Sequence, residues 1–333
     1  MSIRIIKQGI QDTVQDAGRY GFQHLGINPG GVADNVSASI ANMLVGNEFE
    51  EAVIELHYPA ATILFEKDML IAISGADFTA CINGQPVPLN TPVAVCGSCM
   101  LEFRKPVKGY CCYLAVKDGF QLQDWLGSRS TNILAGAVGY NGRKLLTDDV
   151  IPFRKELDLS ALLKQKRFLP LGWKANVPGL FPNKPVIRIC TGNEFNYLTE
   201  PSKNLLVNAT FSVTNDLNRM GCRLLGIPLQ TTNTNSLVSS AVTKGTIQLL
   251  PTGQVLILMA DHQTTGGYPR IGHVASADMH LVAQLQPGEN LSFSIIGITA
   301  AENILLQQHQ YLLQLKIACN LRLQEYLSAH AVH

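Results

Sequence analysis

The sequence predicts a mainly β protein with few helices, built from two β-barrel-like domains of similar topology. Three observations lead to this prediction. The chain has 333 residues, and at roughly 100–200 residues per domain it can form two domains. One half of the chain resembles the other, and both halves contain short apolar or alternating segments bounded by turn residues.

The internal repeat consists of two segments that match without a gap at an offset of 200 residues. The first starts at Asp16 and the second at Asp216, and six of twelve positions are identical. Weaker matches follow downstream, with gaps that differ by a few residues, as loop insertions would. Self-similarity of this kind indicates two copies of one structural unit.

Short strand-like segments lie in both halves. They are apolar or alternate in polarity, and Gly, Pro, Asn or Asp residues bound them. The clearest are residues 61–65, 69–73, 185–190, 255–259 and 291–295. Asn83-Gly84, flanked by strand-like residues, is a strong β-hairpin signal.

Helical patterns are few. Asp34 is a good N-cap for a helix over residues 34–45, and a second helical pattern covers residues 301–329. The segment between the halves mixes charge with Pro and Gly, a composition typical of linkers. The sequence therefore predicts an N-terminal barrel domain over residues 1–165, a linker over 166–184, a C-terminal barrel domain over 185–300 and a helical extension over 301–333.

The composition narrows the function classes. With 26 Lys+Arg against 25 Asp+Glu, the net charge of +1 argues against a nucleic-acid binder. Charged residues make up 15 %, below the roughly 25 % typical of soluble chains, so we expect a partner to cover part of the surface. No apolar stretch is long enough to span a bilayer, and the start lacks a secretory signal. We therefore expect a cytoplasmic protein with eight reduced cysteines and no membrane partner.

The block after residue 260 has the highest concentration of chemically reactive and hydrogen-bonding side chains in the sequence. It places a carboxylate, an amide and two hydroxyls beside a Gly pair whose N–H groups can converge on an anion or a carbonyl oxygen. The residues are Asp261, His262, Gln263, Thr264, Thr265, Gly266, Gly267 and Tyr268. A β-turn in which these groups satisfy only the local backbone is the alternative.

A second cluster lies near the start of the chain. The carboxylates of Asp12 and Asp16, with Arg19 nearby, could set up acid–base chemistry or clamp charge. Asp16 and Arg19 could equally form a structural ion pair, and their repetition as Asp216 and Arg219 favours the structural role. The pair Gly30-Gly31 precedes the predicted helix cap at Asp34, where N–H groups attract anions. This glycine motif has no counterpart in the second half.

Arginines offer further anion-binding groups. Arg129 and Ser130 lie in a Gly turn where the guanidinium could hold a carboxylate or phosphate, or could simply face solvent on a capped turn. Arg219, Arg223 and Lys244 add positive charge to the second half.

Several common motifs are missing from the sequence. It contains no Gly-x4-Gly-Lys-Ser/Thr loop, no Gly-x-Gly-x2-Gly fingerprint and no Gly-x-Ser-x-Gly elbow. Cys96 and Cys99 have a two-residue spacing, but no second pair stands at zinc spacing, so we predict no metal site.

Taken together and in this order, the motifs resemble the family of 5-oxoprolinase C subunits, also called the biotin-dependent carboxyltransferase or allophanate hydrolase subunit 2 family. The resemblance runs from about Ile3 to Ile296. Its most specific blocks are Leu126-Gly-Ser-Arg-Ser-Thr131 and residues 261–269, and others are Gln11-Asp-Thr-Val-Gln-Asp16, Arg219-Met-Gly221 and Gly245-Thr-Ile-Gln248.

The resemblance implies two tandem cyclophilin-like β-barrel domains and a tight partnership with the separate B subunit of 5-oxoprolinase. Together with the A subunit, that pair opens 5-oxoproline to glutamate with ATP hydrolysis, and the three chains could form a higher heteromer. The resemblance does not say which of them holds ATP.

Two alternatives to the 5-oxoprolinase function stay open. One is carboxyl transfer in a biotin-dependent, urea carboxylase-like enzyme. It would need a biotinylated partner, since this chain has no Met-Lys-Met biotinylation segment and biotin is not expected on it. The other is a non-enzymatic regulator that binds a kinase inhibitor resembling the B subunit.

For lactam opening, we expect Asp261 to act as base or to orient water. Thr264, Thr265 and the Gly266 and Gly267 amides would donate to the oxyanion or to a carboxylate, and Arg219, Arg129 or Arg223 would clamp charge. The expected ligand-binding residues are Gly30, Gly31, Asp34, Arg129, Ser130, Arg223, Gln248, Gln263, Gly266, Gly267 and Tyr268.

Overall fold

The strands and helices of the chain group into two units, as seen in a computed structural model that describes residues 2–177, 182–232 and 237–329. Unit 1 comprises Met1–Arg19, Asp34–Pro178 and Tyr311–His333. Unit 2 comprises Tyr20–Ala33 and Gly179–Gln310. Each unit has its own β core, and each is described separately below.

Unit 1 contains two six-stranded antiparallel sheets, with strand orders β11-β1-β4-β9-β6-β7 and β12-β8-β5-β10-β3-β2. Its strands are β1 (Ser2–Lys7), β2 (Thr13–Gln15), β3 (Val53–His57), β4 (Thr62–Phe65), β5 (Met69–Asp77), β6 (Ala80–Ile82), β7 (Gln85–Pro86), β8 (Pro92–Val95), β9 (Cys99–Phe103), β10 (Lys108–Val116), β11 (Val150–Pro152) and β12 (Phe168–Pro170). Its short helices are α1 (Asn35–Leu44) and α2 (Ser160–Leu163).

The two sheets of unit 1 enclose one apolar core. Ile3 and Phe65 come from the first sheet and Ile71 and Leu114 from the second, and all four are fully buried. Burial of such side chains contributes about 1.5–3 kcal/mol each, which holds the layers together. The hairpin predicted at Asn83-Gly84 is confirmed, since β6 pairs with β7 across it.

Helix α1 forms where the sequence predicts it. The Asp34 carboxylate accepts hydrogen bonds from the Ser37 backbone N–H at 2.9 Å and from the Ser37 hydroxyl at 2.5 Å. An N-cap of this kind satisfies donors that the first helical turn leaves free. The side chains of Ile40 and Leu44 are fully buried, which fixes the helix on the sheet formed by β5 and β10.

Unit 2 is a closed seven-stranded barrel with the strand order β13-β20-β17-β18-β15-β14-β21, joined by a separate two-stranded ribbon. Its strands are β13 (Val186–Thr191), β14 (Phe211–Leu217), β15 (Gly221–Leu225), β16 (Ser240–Ala241), β17 (Thr246–Leu249), β18 (Val255–Leu258), β19 (Thr265–Gly266), β20 (Arg270–Val274) and β21 (Asn290–Ile295), and its short helices are α3 (Glu200–Asn208) and α4 (Met279–Ala283). A parallel pairing of β13 with β21 closes the barrel around buried Ile187, Ile247 and Phe293. The ribbon pairs β16 with β19.

The long C-terminal helix α5 spans Ile298–Ala329. From Tyr311 onward it belongs to unit 1, where the Tyr311 hydroxyl donates to the Asn176 carbonyl at 2.9 Å. The ring of Tyr326 meets that of Trp173 edge-on at 5.8 Å. The helix predicted over residues 301–329 is therefore present and begins slightly earlier.

The predicted fold class, mainly β with few helices, is confirmed. The two units are not continuous stretches of the chain. Residues 20–33 cluster with unit 2, and the end of α5 clusters with unit 1. Part of the segment predicted as a linker forms β12, which pairs with β8. Within the described ranges, no helix has the combination of length and hydropathy that crossing a bilayer requires.

Candidate functional site

The centre of the candidate site in unit 2 is an ion pair between Arg219 and Asp261. Nε of Arg219 donates to one carboxylate oxygen at 2.8 Å and Nη2 donates to the other at 2.9 Å. Nη2 also donates to the Gly31 carbonyl at 2.7 Å. Because the Arg219 side chain is 3 % exposed and that of Asp261 is 15 % exposed, the pair is largely desolvated and its geometry is fixed.

Lys244 provides a second cation next to the same backbone segment. Its ammonium donates to the Val32 carbonyl at 3.0 Å and to the Ala33 carbonyl at 2.9 Å. Arg219 and Lys244 therefore hold three successive carbonyl groups, of which the first is that of Gly31. This explains why residues 20–33 belong to the barrel unit although they lie far away in sequence.

His262 is a buried imidazole in the loop that follows Asp261. Its Nδ1 contacts the Gln263 carbonyl at 2.5 Å, which places the ring proton on Nδ1 and leaves Nε2 as an acceptor. Nε2 has no hydrogen-bond partner within the described residues. Burial lowers the pKa of His262, and the charge of Lys244 lowers it further. The imidazole is therefore neutral at pH 7 and able to accept a proton.

Gln248 on β17 is fully buried, yet neither its amide nitrogen nor its amide oxygen has a hydrogen-bond partner in the part of the chain that the structure describes. Its Nε2 lies so close to Gly266 that a Cβ added to this glycine would come within 2.5 Å of it. A buried carboxamide without partners costs about 1–3 kcal/mol per unsatisfied group. Such a carboxamide needs partners that the described protein groups do not supply, from a water or a ligand, so Gln248 is a candidate binding residue.

Within the 261–268 block, the backbone of Gly266 lies against the Gln248 amide. Thr265 and Gly266 lie in β19 opposite Ala241 and Ser240. The Thr264 carbonyl accepts the Val242 N–H at 3.1 Å. The side chains of Gln263 and Tyr268 are exposed at the edge of the block. The structure thus brings the block together with Gln248, and the Arg219 ion pair anchors its first residue.

Arg223 and Asp216, by contrast, form an exposed ion pair at 3.2 Å. The contact lies apart from the bonds that join Arg219, Asp261 and Gly31. A ligand-binding role of Arg223 stays a prediction.

The predicted residues of unit 1 take part in structural networks. Arg129 donates to Glu51 at 3.0 Å, and Glu51 also binds Arg154 at 2.8 Å. Ser130 donates from its hydroxyl to Asp16 at 2.5 Å. Ser130 lies in a turn capped by Asp16, as the alternative predicts, but the Arg129 guanidinium is paired with Glu51 and does not simply face solvent. Ligand binding by Arg129 and Ser130 stays a prediction.

Asp16 has a structural role, but the ion pair with Arg19 that the repeat favours is wrong, as is its counterpart in the second copy, where Asp216 pairs with Arg223 and Arg219 with Asp261. The Asp16 carboxylate accepts the Ser128 hydroxyl at 2.7 Å and the Arg129 N–H at 2.5 Å, in addition to the Ser130 hydroxyl. Arg19 donates to the Ser130 carbonyl, and its guanidinium lies 5.1 Å from the centre of the Trp125 ring. The turn at residues 126–131 is therefore held by a buried carboxylate.

Sequence reasoning missed Glu51. It joins Arg129 and Arg154, which lie far away in the chain. No local pattern marks such a residue, because its role depends only on the tertiary fold. In the described residues there is no cluster of three or more His, Cys, Asp or Glu side chains that could hold a metal ion.

The comparison with known families decides the family. The model of the family described as "Carboxyltransferase domain, subdomain A and B" matches residues 25–295. The chain belongs to this family. The resemblance noted from the sequence motifs, to the family of 5-oxoprolinase C subunits and carboxyltransferases, is thereby confirmed.

Two relatives of this carboxyltransferase family align along nearly the whole chain. The C subunit of Escherichia coli (strain K12) 5-oxoprolinase is 32 % identical over 313 residues, covering 94 % of this chain and 97 % of the relative. The C subunit of Haemophilus influenzae 5-oxoprolinase is 29 % identical over 304 residues, covering 91 % and 94 %. Among solved structures, the K. lactis urea amidolyase superimposes with a TM-score of 0.82 at 23 % identity, over 93 % of this chain and 20 % of that one, which shows a shared fold.

Proposed function

We propose that this chain is the C subunit of an ATP-dependent 5-oxoprolinase, acting in the cytoplasm with the A and B subunits to hydrolyse 5-oxo-L-proline to L-glutamate. The end-to-end alignment with two relatives that are named as 5-oxoprolinase C subunits supports the proposal. The structural observation that carries it is the buried carboxamide of Gln248, which has no protein partner in the described part of the chain.

The carboxamide of Gln248 is complementary to a lactam. A lactam is a cis amide, so its N–H and C=O lie on the same edge of the ring, whereas a trans peptide presents them on opposite edges. A primary carboxamide also presents one acceptor and one donor side by side. The two groups can therefore form a pair of parallel hydrogen bonds, which would satisfy both atoms of Gln248.

The surrounding charges suit a substrate that carries a carboxylate. Lys244 lies close enough to His262 for its positive charge to lower the pKa of that imidazole. Its bonds to the Val32 and Ala33 carbonyls leave its full charge in place. Charge of this kind in a poorly solvated site attracts an anionic substrate.

The contacts also assign roles within the block. Asp261 has both oxygens bound to Arg219, so we propose that it positions this arginine and, through it, the Gly31 segment. His262 has a neutral ring with Nε2 free of protein partners among the described residues, so it is the better acceptor for the proton of an attacking water. Thr264, Thr265 and the Gly266 and Gly267 amides stay the proposed donors to the developing oxyanion.

Hydrolysis of a resonance-stabilised lactam is slow, and ATP, bound within the complex, supplies the free energy for it. The residues of this chain bind and orient the lactam and accept the proton. The experiment is steady-state kinetics of 5-oxoproline-dependent ATP hydrolysis by the assembled complex of all three subunits. We expect Gln248→Met to raise the KM for 5-oxoproline at least tenfold.

Gln254→Met is the matched control, because Gln254 lies in the same barrel and is bonded to Thr252 rather than left unpaired. It should leave the KM unchanged. An unchanged KM in Gln248→Met, with the complex still assembled, contradicts the assignment of the lactam site.

Carboxyl transfer is the second candidate, and two observations favour it. The family model carries the carboxyltransferase name, and the urea amidolyase of Saccharomyces cerevisiae is 28 % identical over 91 % of this chain. A cyclic urea presents the same donor and acceptor edge as a lactam, so Gln248 could bind it equally well. Biotin-dependent carboxylation by the chain with a biotinylated partner, together with no response to 5-oxoproline, would select this function.

A further inference from the structure

Two cysteine thiols of unit 1 lie in contact where strands β8 and β9 are joined. The Sγ atoms of Cys96 and Cys99 are 3.3 Å apart. A disulfide bond is about 2.05 Å long, so the two sulfurs must approach each other by about 1.3 Å to bond. Cys96 is half-buried and Cys99 is fully buried, so a reagent in solvent reaches Cys96 first.

A cavity of about 400 Å³ is lined by neighbours of this pair, although neither cysteine lines it. Asn83 and Ser98 line it, as does Arg167. The Asn83 amide contacts the sulfur of Cys99 at 3.5 Å, and the Arg167 carbonyl accepts both the Cys96 N–H at 2.9 Å and the Cys99 thiol at 3.2 Å. Two residues that line the cavity, Asn83 and Arg167, therefore contact the dithiol, and Arg167 is exposed and adds positive charge to the lining.

We propose that Cys96 and Cys99 form a redox-active dithiol, which small anionic disulfides that enter the adjacent cavity oxidise to an intramolecular disulfide. This site is independent of the candidate site in unit 2 and of the proposed hydrolase function. The two thiols are the reductant, and the small disulfide is the oxidant.

The reaction proceeds by two exchanges. Cys96 loses its proton to solvent, its thiolate attacks one sulfur of the small disulfide, whose S–S bond breaks, and the first small thiolate leaves and takes up a proton from solvent. Cys99 then loses its proton to solvent and attacks the Cys96 sulfur of the mixed disulfide, and the second small thiolate leaves and takes up a proton from solvent. In total, two protein thiols lose two electrons and two protons, and one small disulfide becomes two thiols.

The electrostatics of the pair agree with this order of attack. Burial, together with the bond to Cys96, raises the pKa of the Cys99 thiol to about 12, although Asn83 and Arg167 act in the opposite direction. Cys99 therefore stays protonated near neutral pH and takes the second, resolving role. The charge of Arg167 favours a negatively charged disulfide over a neutral one.

The test exposes the folded full-length chain to oxidised glutathione, then alkylates the remaining thiols in denaturant and maps the peptides by mass spectrometry. The chain has eight cysteines, and we expect six to be alkylated, with a disulfide that joins Cys96 to Cys99. Eight alkylated cysteines, or a disulfide between other cysteines, would overturn the proposal.

Single variants separate the two roles. Cys99→Ser should retain one glutathione on Cys96, because the resolving thiol is absent, and Cys96→Ser should lose no thiol. Cys81→Ser on the neighbouring strand β6 is the matched control and should form the disulfide as the wild type does. Equal adduct formation in Cys96→Ser and Cys99→Ser would contradict the assigned order.

The role of the cavity is tested by the choice of oxidant. With the wild type, we expect oxidised glutathione to react several-fold faster than the neutral 2-hydroxyethyl disulfide. Arg167→Met should remove this preference without changing the rate with the neutral reagent. A preference that persists in Arg167→Met, or none in the wild type, would contradict recognition of an anionic disulfide at this cavity.

Discussion

Arg219 binds both carboxylate oxygens of Asp261 and, through the same Nη2, the carbonyl oxygen of Gly31. One guanidinium thereby connects the loop between β14 and β15, the start of the 261–268 block and a segment almost two hundred residues earlier in the chain. Bidentate geometry of this kind needs the planar fork of arginine. The pair is therefore both an anchor for the candidate site and a fastening for residues 20–33.

Arg219→Lys should destabilise the barrel unit by about 2–4 kcal/mol, because lysine cannot replace the fork and Asp261 keeps a buried, poorly paired charge. Urea unfolding followed by a spectroscopic probe of the barrel measures the change. Arg223→Lys is the matched control, since its ion pair with Asp216 is exposed, and it should change the unfolding free energy by less than about 0.5 kcal/mol. Similar small changes in both variants would refute the anchoring role.

Lys244→Met should loosen residues 20–33, because it removes the donor to the Val32 and Ala33 carbonyls. We expect amide hydrogen exchange in this segment to become at least tenfold faster while the barrel strands stay protected. Lys203→Met, which removes an ion pair with Glu200 on helix α3, serves as the control and should leave the segment unchanged. Unaltered exchange in Lys244→Met would show that Arg219 alone holds the segment.

Asp16→Asn and Asp216→Asn compare equivalent positions of the internal repeat. Asp16 is buried and accepts several bonds from the turn at residues 128–130, so the amide should cost about 2–4 kcal/mol of unfolding free energy. Asp216 is exposed, so the same change there should cost less than about 0.5 kcal/mol. Thermal unfolding of both variants measures the difference, and equal losses would argue against the role of Asp16.

The buried carboxyl group of Asp12 should make the free energy of unfolding depend on pH. Burial raises the pKa of this carboxyl from 3.8 to about 7, although the His57 and Ala61 N–H groups favour the charged form. Between about pH 4 and pH 7, the folded state therefore keeps a proton on Asp12, whereas the unfolded state has released it. The free energy of unfolding falls as the pH rises through this range. The loss amounts to about 4 kcal/mol at one pKa unit per 1.4 kcal/mol.

Asp12→Asn cannot titrate and should lack this slope. Urea unfolding of both proteins at several pH values measures the dependence. A wild-type curve that runs parallel to that of the variant would contradict the raised pKa.

Local patterns predicted much of the secondary structure. The segment predicted over residues 69–73 lies within β5, and residues 255–259 include β18. The helix cap at Asp34 is also where the sequence placed it. Each of these follows from neighbouring residues, since apolar alternation, turn residues and capping act within a few positions.

The tertiary relationships could not be predicted in the same way. Asp16 and Asp216 are equivalent in sequence, yet one is buried on Ser128 and Ser130 and the other is exposed beside Arg223. The difference depends on which distant segment packs on each copy. The site residues Asp261 and Gln248 were identified from motifs, but the arginine on Asp261 and the unsatisfied amide of Gln248 follow only from the folded chain.

The most direct test of the proposed function measures 5-oxoproline-dependent ATP hydrolysis and glutamate release by the A and B subunits of 5-oxoprolinase with and without this chain. We predict that ADP and glutamate form in equal amounts when the chain is present, and that neither forms above background when the chain is left out. A complete set of subunits that assembles but hydrolyses no ATP in response to 5-oxoproline would contradict the proposal. It would favour the carboxyltransferase or a regulatory, non-enzymatic role instead.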